Sequence, residues 1–242
     1  MNAKHAINIA GTTCPAESDK DFNEWYDETH IPRNMKFKGL VGVTRYQLVR
    51  LTDSAAGRKY PRFMTPYKFK DLATFTAWNA SPELREASEG SADLFARLGV
   101  EFVWRAQYES IESWGSNPPA SAITLVGTQC PAEKEPRFSR WCIEKHIPDL
   151  LKFRGLQGAT LYRLASAVGR AIKGTSSVPS ARGSEYPKYL TFYYFKDIPT
   201  ADAYDASPGR KATHGDWLGM VKEAGVSVFW RVQYKPMRTW QR

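Results

Sequence analysis

The sequence predicts an α+β protein in which two similar βαββαβ units pack sheet to sheet and close into one barrel. Three observations carry this. Trp25-Tyr26-Asp27-Glu28-Thr29-His30-Ile31-Pro32 returns 116 positions later as Trp141-Cys142-Ile143-Glu144-Lys145-His146-Ile147-Pro148, so the chain is a tandem duplication. Each copy repeats the same order of strand-like and helix-like segments. The final strand of each copy alternates between two faces, and a sheet covered by helices on one side wants a partner sheet on the other, which the second copy supplies.

The first strands are Ala6–Ala10 and Ala122–Val126, each followed by Gly-Thr and Cys-Pro-Ala-Glu (Gly11 to Glu17, Gly127 to Glu133). Helices are expected over Asp21–Ile31 and Pro136–Ile147. Phe22, Tyr26 and His30 recur at helical spacing beside Trp25, and Phe138, Trp141, Cys142 and His146 repeat that face. Pro32 and Pro148 oppose helix continuation, which puts each His on a last turn. Strands follow over Leu40–Leu51 and Leu156–Ala165, then over Arg62–Phe69 and Lys188–Phe195. Pro66 suggests a bulge or an edge position. Asp71 and Asp197 precede second helices that are interrupted near Ser81-Pro82 and Ser207-Pro208, where each Ser can cap the helix its Pro begins. In the last strands, Trp104 and Tyr108 share a face, as do Trp230 and Tyr234. By alternation, Arg105 and Arg231 are assigned to the inter-sheet side.

From Tyr60-Pro61 and Tyr186-Pro187 onward the offset is 126, so ten extra residues lie between Tyr162 and Tyr186. That Gly-, Ser- and Arg-rich stretch, with Arg170, Lys173 and Arg182, reads as an exposed basic loop. The repeat boundary divides the chain into residues 1–115 and 116–242.

The 242 residues are 42% hydrophobic and 13% aromatic, which suits a well-filled globular interior. No apolar run long enough to span a membrane occurs, and the N-terminus lacks a signal-peptide pattern, so a cytoplasmic protein is expected. The net charge is +9, but Lys and Arg are scattered among acids. This argues for a general surface bias, or attraction to small anionic molecules, rather than nucleic-acid binding. The three cysteines, Cys14, Cys130 and Cys142, match no zinc or redox spacing and read as buried thiols. No metal-ligand cluster, phosphate loop, dinucleotide fingerprint or Gly-x-Ser-x-Gly elbow is present.

The Trp-Tyr-x-x-x-His-Ile-Pro helix end, followed by Phe37-Lys38-Gly39-Leu40 and a strand bearing Arg45-Tyr46, resembles the EthD-like branch of the dimeric α+β barrel superfamily. Its members pair two ferredoxin-like chains, and the resemblance implies that this chain makes the pair internally. A further homodimer of that pseudo-dimer is one expected assembly. The superfamily includes cofactor-free monooxygenases, polyketide cyclases, lactone isomerases, dehydratases and haem enzymes, and the resemblance implies a small ligand bound between sheet and helices.

On that expectation His30 and His146 are candidate acid–base groups, with Tyr26 and Asp27 in the first copy and Asp149 in the second as further catalytic candidates. A His near helix-end carbonyls can equally be structural. The family pattern has Asp three residues after the His. Asp149 keeps it and Arg33 departs from it, and a His146–Asp149 pair could orient the imidazole. Arg45, Tyr46, Tyr67, Trp25, Trp141, Tyr162, Tyr193 and the unmatched His214 are candidate substrate contacts, while His5 reads as incidental. The functional expectation is a cofactor-free lyase, isomerase, cyclase or dehydratase acting on a small aromatic or polyketide-like carbonyl compound. The alternatives are a cofactor-independent monooxygenase and a non-catalytic small-molecule binder. A single His can also be an axial haem ligand, which leaves haem as a minor alternative. The positions where the two copies disagree are where function is expected.

Overall fold

The computed structural model describes residues 4–51, 60–118, 121–167 and 186–242. The extra segment with Arg170, Lys173 and Arg182 lies outside them. The first half runs β1 (Ala6–Thr13), α1 (Asp19–Trp25), a π-helical turn (Tyr26–His30), α2 (Ile31–Asn34), β2 (Leu40–Leu51), β3 (Phe63–Phe69), α3 (Leu72–Asn79), α4 (Pro82–Ala87), α5 (Ser91–Leu98) and β4 (Glu101–Gly115). The second runs β5 (Ala122–Gln129), α6 (Glu135–Trp141), a π-helical turn (Cys142–His146), α7 (Ile147–Leu150), β6 (Leu156–Ala167), β7 (Tyr189–Phe195), α8 (Ile198–Ala206), α9 (Pro208–Ala224) and β8 (Ser227–Gln241).

The eight strands form one closed antiparallel barrel in the order β1-β3-β2-β8-β5-β7-β6-β4, with β4 returning to β1. The halves are joined edge to edge at two seams, β2 with β8 and β4 with β6. Closure leaves no free edge among the described strands to template aggregation. Each half also locks onto the other's Tyr-Pro dipeptide: Tyr108 donates its hydroxyl proton to the Pro187 carbonyl at 3.0 Å, and Tyr234 to the Pro61 carbonyl at 3.1 Å. The Gly of each repeated Gly-Thr makes room for that Pro. A Cβ on Gly11 or Gly127 would come within 2.7 or 2.6 Å of Pro61 or Pro187.

Alternation along the strands separates the cores. Inside the barrel, Trp104 and Trp230 stack at 4.0 Å between ring centroids, among Tyr46, Met64, Tyr162 and Tyr234. Outside it, each half buries its helices in a separate apolar core, around Phe22, Tyr67 and Trp78 or around Phe138, Tyr193 and Tyr204.

Three expectations are corrected. The helices run on through Pro32 and Pro148, so His30 and His146 do not sit on last turns. A π turn precedes each Pro: Ile31 N–H reaches back five residues to the Tyr26 carbonyl, and Ile147 N–H to that of Cys142. Each Pro then falls at the start of the next helical segment, where its missing N–H is tolerated. Pro66 lies in a strand paired on both sides. Its ladder to β1 is continuous, and only the ladder to β2 lapses, opposite Thr44 and Arg45. Arg231 points to the helix side of the barrel, where it meets Asp205, and the charge of Arg105 acts on Tyr26 and Tyr67 on the equivalent side. His5 is buried, and its Nε2 lies 2.9 Å from the Tyr162 hydroxyl.

Candidate functional site

The π turns explain the spacing of the repeated motif. On a regular α-helix, residues five apart diverge by about 140°. The wider turn brings them face to face, and π turns recur at functional sites. Trp141 stacks on His146 at 4.4 Å and 19°, and Trp25 lies over His30 at 4.9 Å and 30°. The two imidazoles therefore leave their helices in the same way. Their surroundings differ.

In the first half both ring nitrogens of His30 are engaged. Nδ1 lies 2.8 Å from the Ala87 carbonyl, and Nε2 lies 3.1 Å from the Tyr67 hydroxyl and 3.3 Å from Asn34 Nδ2. A carbonyl only accepts, so Nδ1 carries the proton. Tyr67 continues to the Tyr26 hydroxyl at 2.8 Å, and Trp78 Nε1 donates to Asn34 at 3.1 Å. Arg45 fills the remaining space. It is fully buried, with its guanidinium 4.5 Å from the centre of the Tyr26 ring, and it donates to Asp27 at 2.5 Å and Asn23 at 2.6 Å. The Ala87 carbonyl can accept from His30 because the helix breaks there. α4 ends at Ala87, and Gly90 takes the left-handed conformation, φ +70°, that restarts the chain as α5.

The second half keeps Tyr67 as Tyr193 and replaces most of the other parts. Cys142 stands for Tyr26, Ile143 for Asp27, Leu150 for Asn34 and Leu161 for Arg45. Helix α9 runs unbroken through His214–Asp216, the positions that match the break at Ser88–Gly90. Thr213, in place of Ala87, therefore keeps its carbonyl inside a helix. His146 Nδ1 is buried with no hydrogen-bond partner among the described residues. The smaller side chains leave a cavity of about 170 Å³, walled by His146, Cys142, Tyr193, Trp217, Thr124 and the two arginines Arg210 and Arg231. Thr124 Oγ1 is a second buried polar atom without a partner on that wall. Leu150, Tyr204 and Arg210 are shared with an outer cleft of about 630 Å³ between α7, α8 and α9. The inner chamber and the outer cleft thus adjoin at these three side chains.

Burial governs the protonation states. It lowers His30 and His146 to about 4, in His146 with help from the Arg210 charge. Both imidazoles are neutral near pH 7. Burial also raises the Tyr193 phenol well above its ordinary value, so that ring is neutral, and raises all three cysteine thiols, Cys14 to about 11. The cysteines are inert packing residues at neutral pH.

The structure brings together four of the sequence candidates, His146, Trp141, Tyr193 and His214, at or beside one cavity. His30, Tyr26, Asp27, Trp25 and Tyr67 form the filled network of the first half. Arg45 is corrected as a substrate contact, because its buried guanidinium is engaged by Asp27 and Asn23. Tyr46 and Tyr162 lie apart from that cavity. Strand alternation turns them into the barrel interior, beside a separate cavity of about 150 Å³. Asp149 does not orient His146. It lies at the outer cleft, held by Lys152 at 2.7 Å and Lys145 at 4.0 Å. Arg210, Trp217, Tyr204 and Thr124 were missed. A signal for two of them existed: Arg210, His214 and Trp217 lie at i, i+4 and i+7, one face of a helix. Their first-half counterparts are Leu84, Ser88 and Ser91.

No group of three metal-ligating side chains occurs among the described residues. A haem held by an axial His fits neither half. Both nitrogens of His30 are engaged, and His146 is packed against Trp141 and Trp217.

No protein-family model and no curated protein matches this chain. Solved structures do match in fold. A candidate monooxygenase of Fusobacterium nucleatum is 11% identical with a TM-score of 0.63, covering 100% of this chain and 96% of its own. An anthrone oxidase-like protein is 13% identical with a TM-score of 0.63, covering 99% and 94%. A candidate chlorite dismutase is 10% identical with a TM-score of 0.53, covering 98% and 96%. This chain shares with them the dimeric α+β barrel fold. The expectation of lyase, isomerase, cyclase or dehydratase chemistry is corrected here: the structures this chain resembles carry the names of oxidative enzymes. None of the described helices is long and apolar enough to cross a membrane.

Proposed function

We propose that this protein is a cofactor-independent oxygenase that uses the second-half cavity to expose an electron-rich aromatic compound to dioxygen. The observation that carries the reading is His146 Nδ1, a neutral, buried nitrogen without a protein partner, in an aromatic-walled chamber beside the cation of Arg210. The names of the monooxygenase and the anthrone oxidase-like protein that share the fold support an oxidative reading.

In this scheme His146 takes a proton from an activated ring methylene, and Arg210 with the Thr124 hydroxyl stabilises the resulting anion. The carbanion passes one electron to dioxygen, and the radical pair combines into a peroxide anion. The imidazolium returns its proton to give a hydroperoxide. Loss of water from that species leaves a carbonyl, with one oxygen atom in the product and the other in water. All four electrons come from the substrate, so no external reductant is needed.

The same proposal carries the finer family reading: residues 1–115 and 116–242 are two ferredoxin-like repeats of the EthD-like branch. The β-α-β-β-α-β order of each half and the recurring Trp-x-x-Glu-x-His-Ile-Pro element support it.

The experiment is oxygen uptake by metal-free protein with anthrone as the probe. Wild type should exceed the uncatalysed rate, His146→Ala should lose about 10²-fold or more of that gain, and His30→Ala should keep catalysis. No gain with wild type, or full activity in His146→Ala, overturns the proposal.

A further inference from the structure

We infer that the second-half site selects an anionic aromatic ligand, whose ring fills the inner chamber and whose carboxylate pairs with Arg210 at the throat. The inference rests on the oxidative site proposed above but concerns binding rather than turnover.

A count of the charges around the cavity carries it. Arg231 is neutralised by Asp205 at 2.5 Å, and Gln233 donates to the same carboxylate at 3.3 Å. Of the acids at the outer cleft, Asp216 is bound by Lys145 and Asp149 by Lys152. Arg210 differs: among the described residues no carboxylate lies within salt-bridge distance of its guanidinium, yet it lines both the inner chamber and the outer cleft. Its charge reaches His146, Tyr193 and Tyr204.

The backbone holds Arg210 in place. Its N–H donates to the capping Ser207 hydroxyl at 3.1 Å, which fixes it in the first turn of the 17-residue helix α9. That helix end adds a positive dipole. A partly desolvated guanidinium with an open fork suits a carboxylate, which it can bind through two hydrogen bonds. At the matching position of the first half stands Leu84, and the buried cation there, Arg45, is already matched by Asp27.

Salicylate and salicylamide test this, since they are nearly equal in shape and differ in charge. Calorimetric titration of the full chain at low salt should show salicylate binding about tenfold or more tightly than salicylamide, with the preference shrinking as salt rises. Arg210→Leu should bring the two within about twofold. Arg210→Lys should keep part of the preference, and circular dichroism reports whether each variant is folded. Equal affinities in wild type, no binding of either probe, or an undiminished preference in Arg210→Leu overturns the inference. Charge-selective binding without oxygen uptake would sink the proposed reaction alone. Oxidation of anthrone through His146 without charge preference would sink the present inference alone.

Discussion

His30 Nδ1 lies 2.8 Å from the carbonyl oxygen of Ala87, whereas the matching nitrogen of His146 is buried without a partner. One broken helix makes the difference. Where α4 stops, a carbonyl is left for the imidazole, and where α9 continues, none is. The same motif therefore holds an imidazole with both ring nitrogens engaged in one half and one with an unpartnered Nδ1 in the other. Substitution should separate the roles. His30→Ala leaves the Ala87 carbonyl and Tyr67 hydroxyl short of partners and should cost about 2–4 kcal/mol of stability, read from urea unfolding. His146→Ala should cost less than this, because no hydrogen bond at Nδ1 is lost.

Arg45 tests how the first cavity is filled. Arg45→Leu, the residue of the second half, strands Asp27 and should destabilise by about 3–5 kcal/mol. Adding Asp27→Ile should recover much of that loss, since both charges are then gone. Equilibrium unfolding of the two single variants and the double variant gives the coupling directly. Additive losses would mean that the pair does not act as a unit.

Much of the fold was legible in the sequence because duplication and alternation are local signals. The β-α-β-β-α-β order and the Ser81 and Ser207 caps follow from spacing alone, whereas alternation by itself does not say which face of the last strands turns inward, and it is that of Trp104 and Trp230 rather than that of Arg105 and Arg231. The π turns were not legible, because a Pro after an apolar helix face reads equally well as a stop. The site was half legible. His146, Trp141 and Tyr193 were found through repetition. Arg210 and Trp217 were not legible, because they lie outside the repeated motif, on the helix of which only His214 stood out by having no counterpart.

Cavity volume offers a third prediction. Cys142→Tyr restores the ring that Tyr26 provides in the first half and should fill the chamber of about 170 Å³. Binding of salicylate should fall by at least about tenfold, while the far-ultraviolet circular dichroism spectrum stays that of wild type. Unchanged affinity in a folded variant would move the ligand out of this chamber.

The pH dependence of stability has a defined sign. His30 and His146 are lowered to about 4 by burial, against about 6.5 in an unfolded chain. Between those values the unfolded state binds protons that the folded state refuses, so stability is fully present above about pH 6.5 and falls as pH drops toward 4. With both groups the slope should approach about 2.7 kcal/mol per pH unit. Denaturant titrations across this window should show it, and His30→Gln with His146→Gln should flatten it.

The central claim is that the working cavity belongs to the second half alone, and a crystal structure of the protein with salicylate tests it most directly. The account predicts ligand density beside His146, Tyr193 and Trp217, with the carboxylate on Arg210. Density among Tyr26, His30 and Arg45, or inside the barrel between Tyr46 and Tyr162, would contradict it.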